Sequence, residues 1–311
     1  MRVAVTGGSG FVGSRLLEAL VAAGHQAVCI ARGTRPVQVK GAVAVPASVT
    51  DPERLREAFA GCEVVAHLAG INRSVGDQTF ERVHVEGTRH VVAAAKAAGA
   101  RKVILLSFLK ARPDSGSRYH ETKWEAERIV SESGLAYLIL KAGVIFGPGD
   151  GMVTNVWRTL RLFPFFAQVG FQEATIRPVW VGDVVSILAA SALDDRLGNK
   201  TVPVLGPTEL PLSEAVRRVA RAADRRVFVA PLPVRLHKTL ASLGEKLLRE
   251  PIITVAQIQM LAEGASDPLP GCDELPADLQ PKTPFDTERL RESLSAVREP
   301  PGGGSRSGIR R

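Results

Sequence analysis

A three-residue apolar run at 3–5 stops at Thr6, and Gly7-Gly8-Ser9-Gly10-Phe11-Val12-Gly13 follows at once. The spacing G-x-G-x-x-G is met by Gly8, Gly10 and Gly13, and a wider spacing by Gly7, Gly10 and Gly13. Glycines so placed between a strand and a helix leave few folds open. They permit a tight turn, close approach of backbone to a pyrophosphate, and close packing of helix on strand. The helix then meets the phosphates with free N–H groups and the positive end of its dipole. Such a triplet alone is weak; after a predicted strand and before a predicted helix, it reads as dinucleotide binding.

The end of the second predicted strand bears on which dinucleotide. An NAD site wants an Asp or Glu roughly 20 residues on, for the ribose 2′-hydroxyl. Here the chain reads Ile30-Ala31-Arg32-Gly33-Thr34-Arg35, with no acid. Guanidinium groups at Arg32 and Arg35 suit a 2′-phosphate instead, so NADP(H) is expected over NAD(H). Surface arginines in a loop are the plainer alternative.

Short β-branched runs alternate with helical patterns through the first half. Strands are predicted at 2–6, 26–31, 42–45, 64–69, 102–107 and 135–145. Helices are predicted at 13–23, 52–60 (with Asp51 as N-cap), 80–98 and 119–133. This alternation predicts an α/β fold, a Rossmann-type doubly wound parallel sheet, with a smaller C-terminal α/β lobe. The expected division is 1–150 for the dinucleotide domain, 151–299 for a substrate or partner lobe, and 300–311 for a disordered basic tail. The lobe is expected to hold helices at 213–223, 233–249 and 254–262, and to return a strand near 176–181 toward the first domain.

On the helix at 119–133, Tyr119 and Lys123 lie four apart and so share a face. A phenol near pKa 10 is a poor base at neutral pH, and a neighbouring ammonium lowers it toward use as an acid/base. The same Lys123 can hold the nicotinamide ribose. Ser107 ends a strand, where its hydroxyl could bond a substrate oxygen.

Several classes are excluded or set aside. The N-terminus shows no secretory pattern, and no window reaches the roughly 18–20 apolar residues a membrane span needs. Cys29, Cys62 and Cys272 have no metal or disulfide spacing and suit a reducing compartment. A cytoplasmic protein is therefore expected, with peripheral placement at the inner membrane face as an extension of that reading. His67, His84 and His120 are unpaired in any metal spacing and read as core or loop residues, so no metal is expected. Asp183 reads as a helix N-cap. The net charge of +8 is concentrated late, with eleven Lys/Arg against four Asp/Glu between residues 196 and 249. Without aromatic interleaving or a binding motif, that excess does not read as a nucleic-acid surface. The segment 233–249 could pack its apolar stripe internally or lie on a membrane surface.

Together, TGGSGFVG at 6–13, Asp51, His67-Leu68-Ala69-Gly70, His84-Val85-Glu86-Gly87-Thr88 and Tyr119-x-x-x-Lys123 resemble the extended or atypical short-chain dehydrogenases/reductases, the NAD-dependent epimerase/dehydratase family. Ser107 shortly before Tyr119, Ser133-Gly134-Leu135, and the runs 144–150 and 178–184 narrow the likeness. They are similar to bacterial relatives of the dinucleotide-binding accessory subunit of respiratory complex I. The resemblance covers residues 1–295, with specific motifs in the first 185. It implies that Gly7, Gly10, Phe11 and Val12 contact pyrophosphate and that Arg32 lies by the adenosine ribose. Leu68, Ala69 and Gly70 would line the groove, Tyr119 and Lys123 would take the acid/base and ribose roles, and Ser107 would polarise the substrate. The chain departs from the pattern at Ala47-Ser48, at His84 and at Lys141-Ala142.

Two functions follow from this reading. One is an oxidoreductase or epimerase/dehydratase acting on a small carbonyl or hydroxyl substrate. The other is a nucleotide-binding structural or assembly protein at a membrane respiratory or quinone-biosynthesis complex.

Overall fold

Val3, Ala4 and Val5 are all fully buried, yet they enter two different cores. Side chains alternate across a strand, so a continuous apolar run implies a sheet covered on both faces. The computed structural model describes residues 1–33, 39–171, 173–233, 235, 239 and 263–298. The N-terminal half runs β1 (Arg2–Thr6), α1 (Phe11–Ala22), β2 (Gln26–Ala31), β3 (Val43–Pro46), α2 (Pro52–Ala58) and β4 (Val64–His67). A single π-type turn (Glu81–Glu86) then leads into α3 (Gly87–Ala97), followed by β5 (Lys102–Phe108), α4 (Arg118–Ser131) and β6 (Ala136–Ala142).

Beyond it come β7 (Ile145–Phe146), α5 (Gly151–Leu162), β8 (Phe165–Val169), β9 (Thr175–Ile176), β10 (Val179–Trp180) and α6 (Val181–Leu193). The chain continues through β11 (Lys200–Val204), β12 (Leu210–Pro211), α7 (Leu212–Ala222), β13 (Phe228–Leu232) and α8 (Thr287–Arg298).

Seven parallel strands form one sheet in the order β11-β6-β5-β4-β1-β2-β3. The strand order reverses between β1 and β4, and the loops after those two strands open a crevice at their carboxyl ends. Helices α1 and α6 cover one face, through Leu16, Leu17, Leu20, Val184 and Leu188. Helices α2, α3 and α4 cover the other, through Leu55, Val91 and Ala126. Burial of each such leucine contributes about 1.5–3 kcal/mol. Asp51 caps α2 as expected, its carboxylate accepting from the Arg54 N–H at 3.1 Å.

The expected doubly wound parallel sheet is present, and the corrections lie mostly after residue 142. The expected strand at 135–145 is broken into β6 and β7. The strand expected near 176–181 is two short pieces, β9 and β10, and neither joins the main sheet. The strand that returns is β11, which pairs with β6 from Lys200 to Val204. Helix α5 is additional to the expectation, and α6 begins two residues before the Asp183 read as its N-cap. The Val- and Ile-rich stretch of α6 has β-branched composition, and burial on α1 overrides that local preference. Asp183 is not an N-cap, because Trp180 holds that position. Its carboxylate instead accepts from the Lys282 and Thr283 N–H groups and the Thr283 hydroxyl. That anchor brings Phe285 against Phe146 in a third core with α5, α7 and α8. The helix expected at 213–223 is α7. The expectations for 233–249, 254–262 and 300–311 fall outside the described residues, apart from Pro233, Arg235 and Thr239.

Candidate functional site

The crevice is built by two loops that touch. Gly7 has φ +70°, and a Cβ there would lie 2.8 Å from the Ala69 nitrogen. At Gly13 a Cβ would lie 2.3 Å from the Gly7 carbonyl oxygen, so α1 and the turn can approach this closely only with glycine. Gly7 N–H donates to Ile30 O, and Gly10 N–H donates to Gly7 O, which closes the turn. Gly10 caps α1 with no side chain over its end. The N–H groups of Phe11, Val12 and Gly13 therefore face outward without intrahelical partners. This cradle, which side chains would fill, fits a dinucleotide pyrophosphate. Arg32 follows β2 beside the turn and is exposed. Arg35 lies outside the described residues.

Opposite the turn, a buried chain of hydrogen bonds orders the second loop. Thr88 donates its hydroxyl proton to His84 O, so it accepts from His67 Nε2 at 3.1 Å. The neutral His67 then carries its proton on Nε2, and its Nδ1 accepts from the Thr6 hydroxyl at 2.7 Å. Thr6 Oγ1 in turn accepts from the Ala69 N–H. Burial pushes the His67 pKa down to about 3, which keeps the ring neutral. Thus the last side chain of β1 and the last of β4 together set the path of Leu68, Ala69 and Gly70.

His84, in the π-type turn, has the opposite tautomer. Its Nε2 accepts from the Ile71 N–H at 3.2 Å, so Nδ1–H donates to Thr122 Oγ1 at 3.0 Å. Thr122 passes its own proton to Arg118 O. His84 therefore links the groove loop to α4, between Tyr119 and Lys123. Single π-type turns are frequent where a helix must aim a side chain.

Tyr119 sits in the first turn of α4, enclosed by Phe80, His84, Phe108 and His120. Burial pushes its phenol well above the usual range. Lys123 does not offset that shift, contrary to the expectation that its ammonium would lower it. Burial also lowers Lys123 to about 8, while Glu127 opposes the shift. The Lys123 Nζ donates to Leu106 O at 3.1 Å. It also stands 3.2 Å from where a Cβ of Gly70 would be, at the lip of the crevice.

Ser107 is placed differently from the expectation. Its hydroxyl donates to Glu127, whose carboxylate also accepts from Lys141 Nζ at 2.8 and 2.7 Å. Lys141 is further held by Ala111 O. The Ser107 proton is thus committed to a buried ion pair. Burial raises the Glu127 pKa, and Lys141 pulls it back. Glu127 was not singled out from sequence, although Tyr119, Lys123 and Glu127 repeat at i, i+4 and i+8 on one helix face. Among the described residues no group of three or more His, Cys, Asp or Glu could hold a metal ion.

Comparison with known proteins adds to this geometry. Residues 7–155 match the family model described as NAD(P)H-binding. The chain is 31% identical over 214 residues to the ceramide reductase of Caulobacter vibrioides, covering 67% of this chain and 63% of that protein. It is 32% identical over 175 residues to 4-hydroxy-2-methyl-3-oxo-4-farnesyl-3,4-dihydroquinoline-1-oxide ketoreductase of Stigmatella aurantiaca, covering 48% and 52%. With the photosystem II assembly factor Ycf39 of Synechocystis it shares 25% identity over 78% and 74%. The chain thus spans less than two thirds of the length of each of these reductases. Its fold is that of the Thermus thermophilus UDP-glucose 4-epimerase complexed with NAD, at TM-score 0.70 and 23% identity, covering 98% and 100%.

Proposed function

For a chain whose residues 7–155 form an NAD(P)H-binding domain on an epimerase-like α/β fold, we propose NADPH-dependent reduction of a carbonyl on an apolar substrate. The observation that carries it is the convergence of Lys123 and Gly70 at the crevice lip, with Tyr119 one turn away. Residues 1–150 would hold the nucleotide, with Gly7, Gly10, Phe11 and Val12 at the pyrophosphate and Leu68, Ala69 and Gly70 along the groove. Arg32 would pair with the 2′-phosphate, which favours NADP(H) over NAD(H). Residues 151–299 would supply the substrate side.

When bound, a nicotinamide dinucleotide would supply hydride to a carbonyl carbon. Tyr119 gives its Oη proton to the carbonyl oxygen; burial keeps the phenol protonated and so supplies the proton, while it raises the cost of the phenolate that is left. Lys123 orients the ribose through its Nζ. Glu127 and Lys141 hold Ser107 and so position this end of β5 rather than the substrate. Phe80, Phe108 and Trp124 pack around Tyr119, an apolar setting consistent with the farnesylated and ceramide names of the two reductase relatives.

Tyr119→Phe should lower turnover of aryl or long-chain ketones by about 10²–10⁴-fold, read as NADPH oxidation, with NADPH affinity barely changed. Unaltered turnover removes Tyr119 from the reaction. Arg32→Ala should weaken NADPH about tenfold or more and leave NADH as it was. Equal affinities for the two, unmoved by the substitution, would sink the 2′-phosphate assignment.

A second reading rests on Ser107 and on the assembly-factor relative. With its proton taken by Glu127, Ser107 is not offered to a substrate. In that reading the chain is a structural or assembly protein of a membrane complex, as the assembly-factor relative suggests, and the nucleotide stabilises its fold. Among the described residues no helix is long and apolar enough to cross a membrane. Thermal stabilisation by NADPH without oxidation of it in the presence of any ketone would favour this reading.

A further inference from the structure

One end of the lobe exposes large apolar side chains that no core among the described residues claims. Leu162 is 69% exposed, Phe163 65% and Phe228 68%, and Phe165 stacks on Phe228 with ring centroids 6.0 Å apart. These are contiguous: Leu162 and Phe163 end α5, Phe165 opens β8, and β13 pairs alongside with Phe228 opposite Phe165. The Phe228 N–H donates to Pro164 O, which fastens the two segments together. A contiguous apolar patch of this kind marks an interaction site.

Charge identifies the partner. Arg158, Arg161 and Leu162 share one face of α5 at i, i+3 and i+4, and both arginines are exposed. Arg225 and Arg226 are exposed just before β13. Neither 151–172 nor 225–233 contains an Asp or Glu. Just outside, Asp224 lies 3.8 Å from Arg291, and Glu173 accepts from the Ser213 N–H at 2.9 Å. A second copy of this chain in a two-fold contact would bring these arginines against themselves. Aromatic side chains among arginines instead match the interfacial region of an anionic bilayer, with rings at headgroup depth and guanidinium groups on the phosphates.

We propose that the β8–β13 edge and the C-terminus of α5 form a docking surface for an anionic lipid bilayer. This deepens the membrane-complex reading above and rests on it, but it is independent of catalysis. From Asp150 at the start of α5 the helix rises about 18 Å to this edge. A chain docked here would thus hold its nucleotide crevice clear of the lipid.

The test is co-sedimentation of the full chain with unilamellar vesicles of phosphatidylcholine alone or mixed with phosphatidylglycerol, at low and high salt. Wild type should sediment with the mixed vesicles, far less with phosphatidylcholine alone, and less at high salt. Phe163→Ser with Phe228→Ser should reduce partitioning roughly tenfold or more. Arg158→Gln with Arg161→Gln and Arg226→Gln should flatten the salt dependence. NADPH titration of each variant shows that the fold is kept. Wild type left in the supernatant would overturn both the surface and the membrane reading. Wild-type sedimentation that both variants retain would overturn this surface alone. Loss of a dimer in the serine variant, without vesicle binding by wild type, would assign the patch to a second copy instead.

Discussion

The two ends of this chain bury their apolar residues in different ways. In the N-terminal half every sheet strand except β3 is sealed between helices, and most polar side chains inside are paired, as in the Thr6–His67–Thr88 chain, the Ser117 hydroxyl and the His120 ring being buried without a hydrogen bond. The C-terminal lobe is assembled from two-residue strands and a parallel pair, and its core depends on a segment more than a hundred residues downstream of β6. Asp183 holds residues 282–283, which seats Phe285 on Phe146. A sheet with short crossovers carries its own cover. A lobe made of distant pieces relies on a few anchors and leaves Phe163 and Phe228 outside.

The largest expected effect attacks the anchor. Phe285→Ala removes a fully buried ring and should cost about 3–5 kcal/mol. If the lobe is a separate cooperative unit, the melt becomes biphasic and NADPH binding survives. A single lowered transition would show the halves as one unit joined through β11, and would break the contrast.

Next comes Lys123, on the nucleotide side. Burial holds its folded pKa at about 8 against an ordinary 10.5. The unfolded chain therefore binds more protons between those values, and stability rises with pH across that window. Below about pH 8 the buried ammonium costs about 3 kcal/mol. Lys123→Met should recover most of that at neutral pH, remove the rise above pH 8, and abolish reduction. Denaturant unfolding across the window measures it; identical pH profiles for both proteins would show that Lys123 is not desolvated as described. A gain of stability with a loss of turnover would identify the well-sealed half as the one that stores functional strain.

The smallest effect tests local order. Asp51→Ala should cost about 1 kcal/mol by uncovering the first turn of α2. It should leave Tyr119 chemistry untouched, since α3 packs between α2 and α4 on that face of the sheet. A change in turnover there would mean that the sealed half is coupled within itself more broadly than its bonds indicate.

Much of the sealed half was legible in the chain. The glycine spacing, the continuous apolar strands and the Asp51 cap are local signals, and each corresponds to what is folded. The Tyr119–Lys123 repeat was equally local, but its electrostatics were not. Whether an ammonium lowers a phenol depends on burial and on Leu106 O, neither of which has a sequence signature. Ser107 shows the same limit from the other side. Its place at a strand end was readable, whereas its bond to Glu127 depends on α4 laying that carboxylate over β5. The lobe escaped reading because β9, β10 and β12 are too short for periodicity, and because β-branched α6 is helical only through packing on α1.

By itself, then, the sequence determined the turn, the alternation and the residue types at the crevice, since these follow from steric freedom and periodicity within a few residues. Tertiary structure alone decided which strand returned to the sheet, which histidine tautomers order the groove, where the Ser107 proton goes, and which phenylalanines face outward. Each of those depends on groups far apart in the chain, brought together only when their burial and hydrogen bonds are satisfied at the same time.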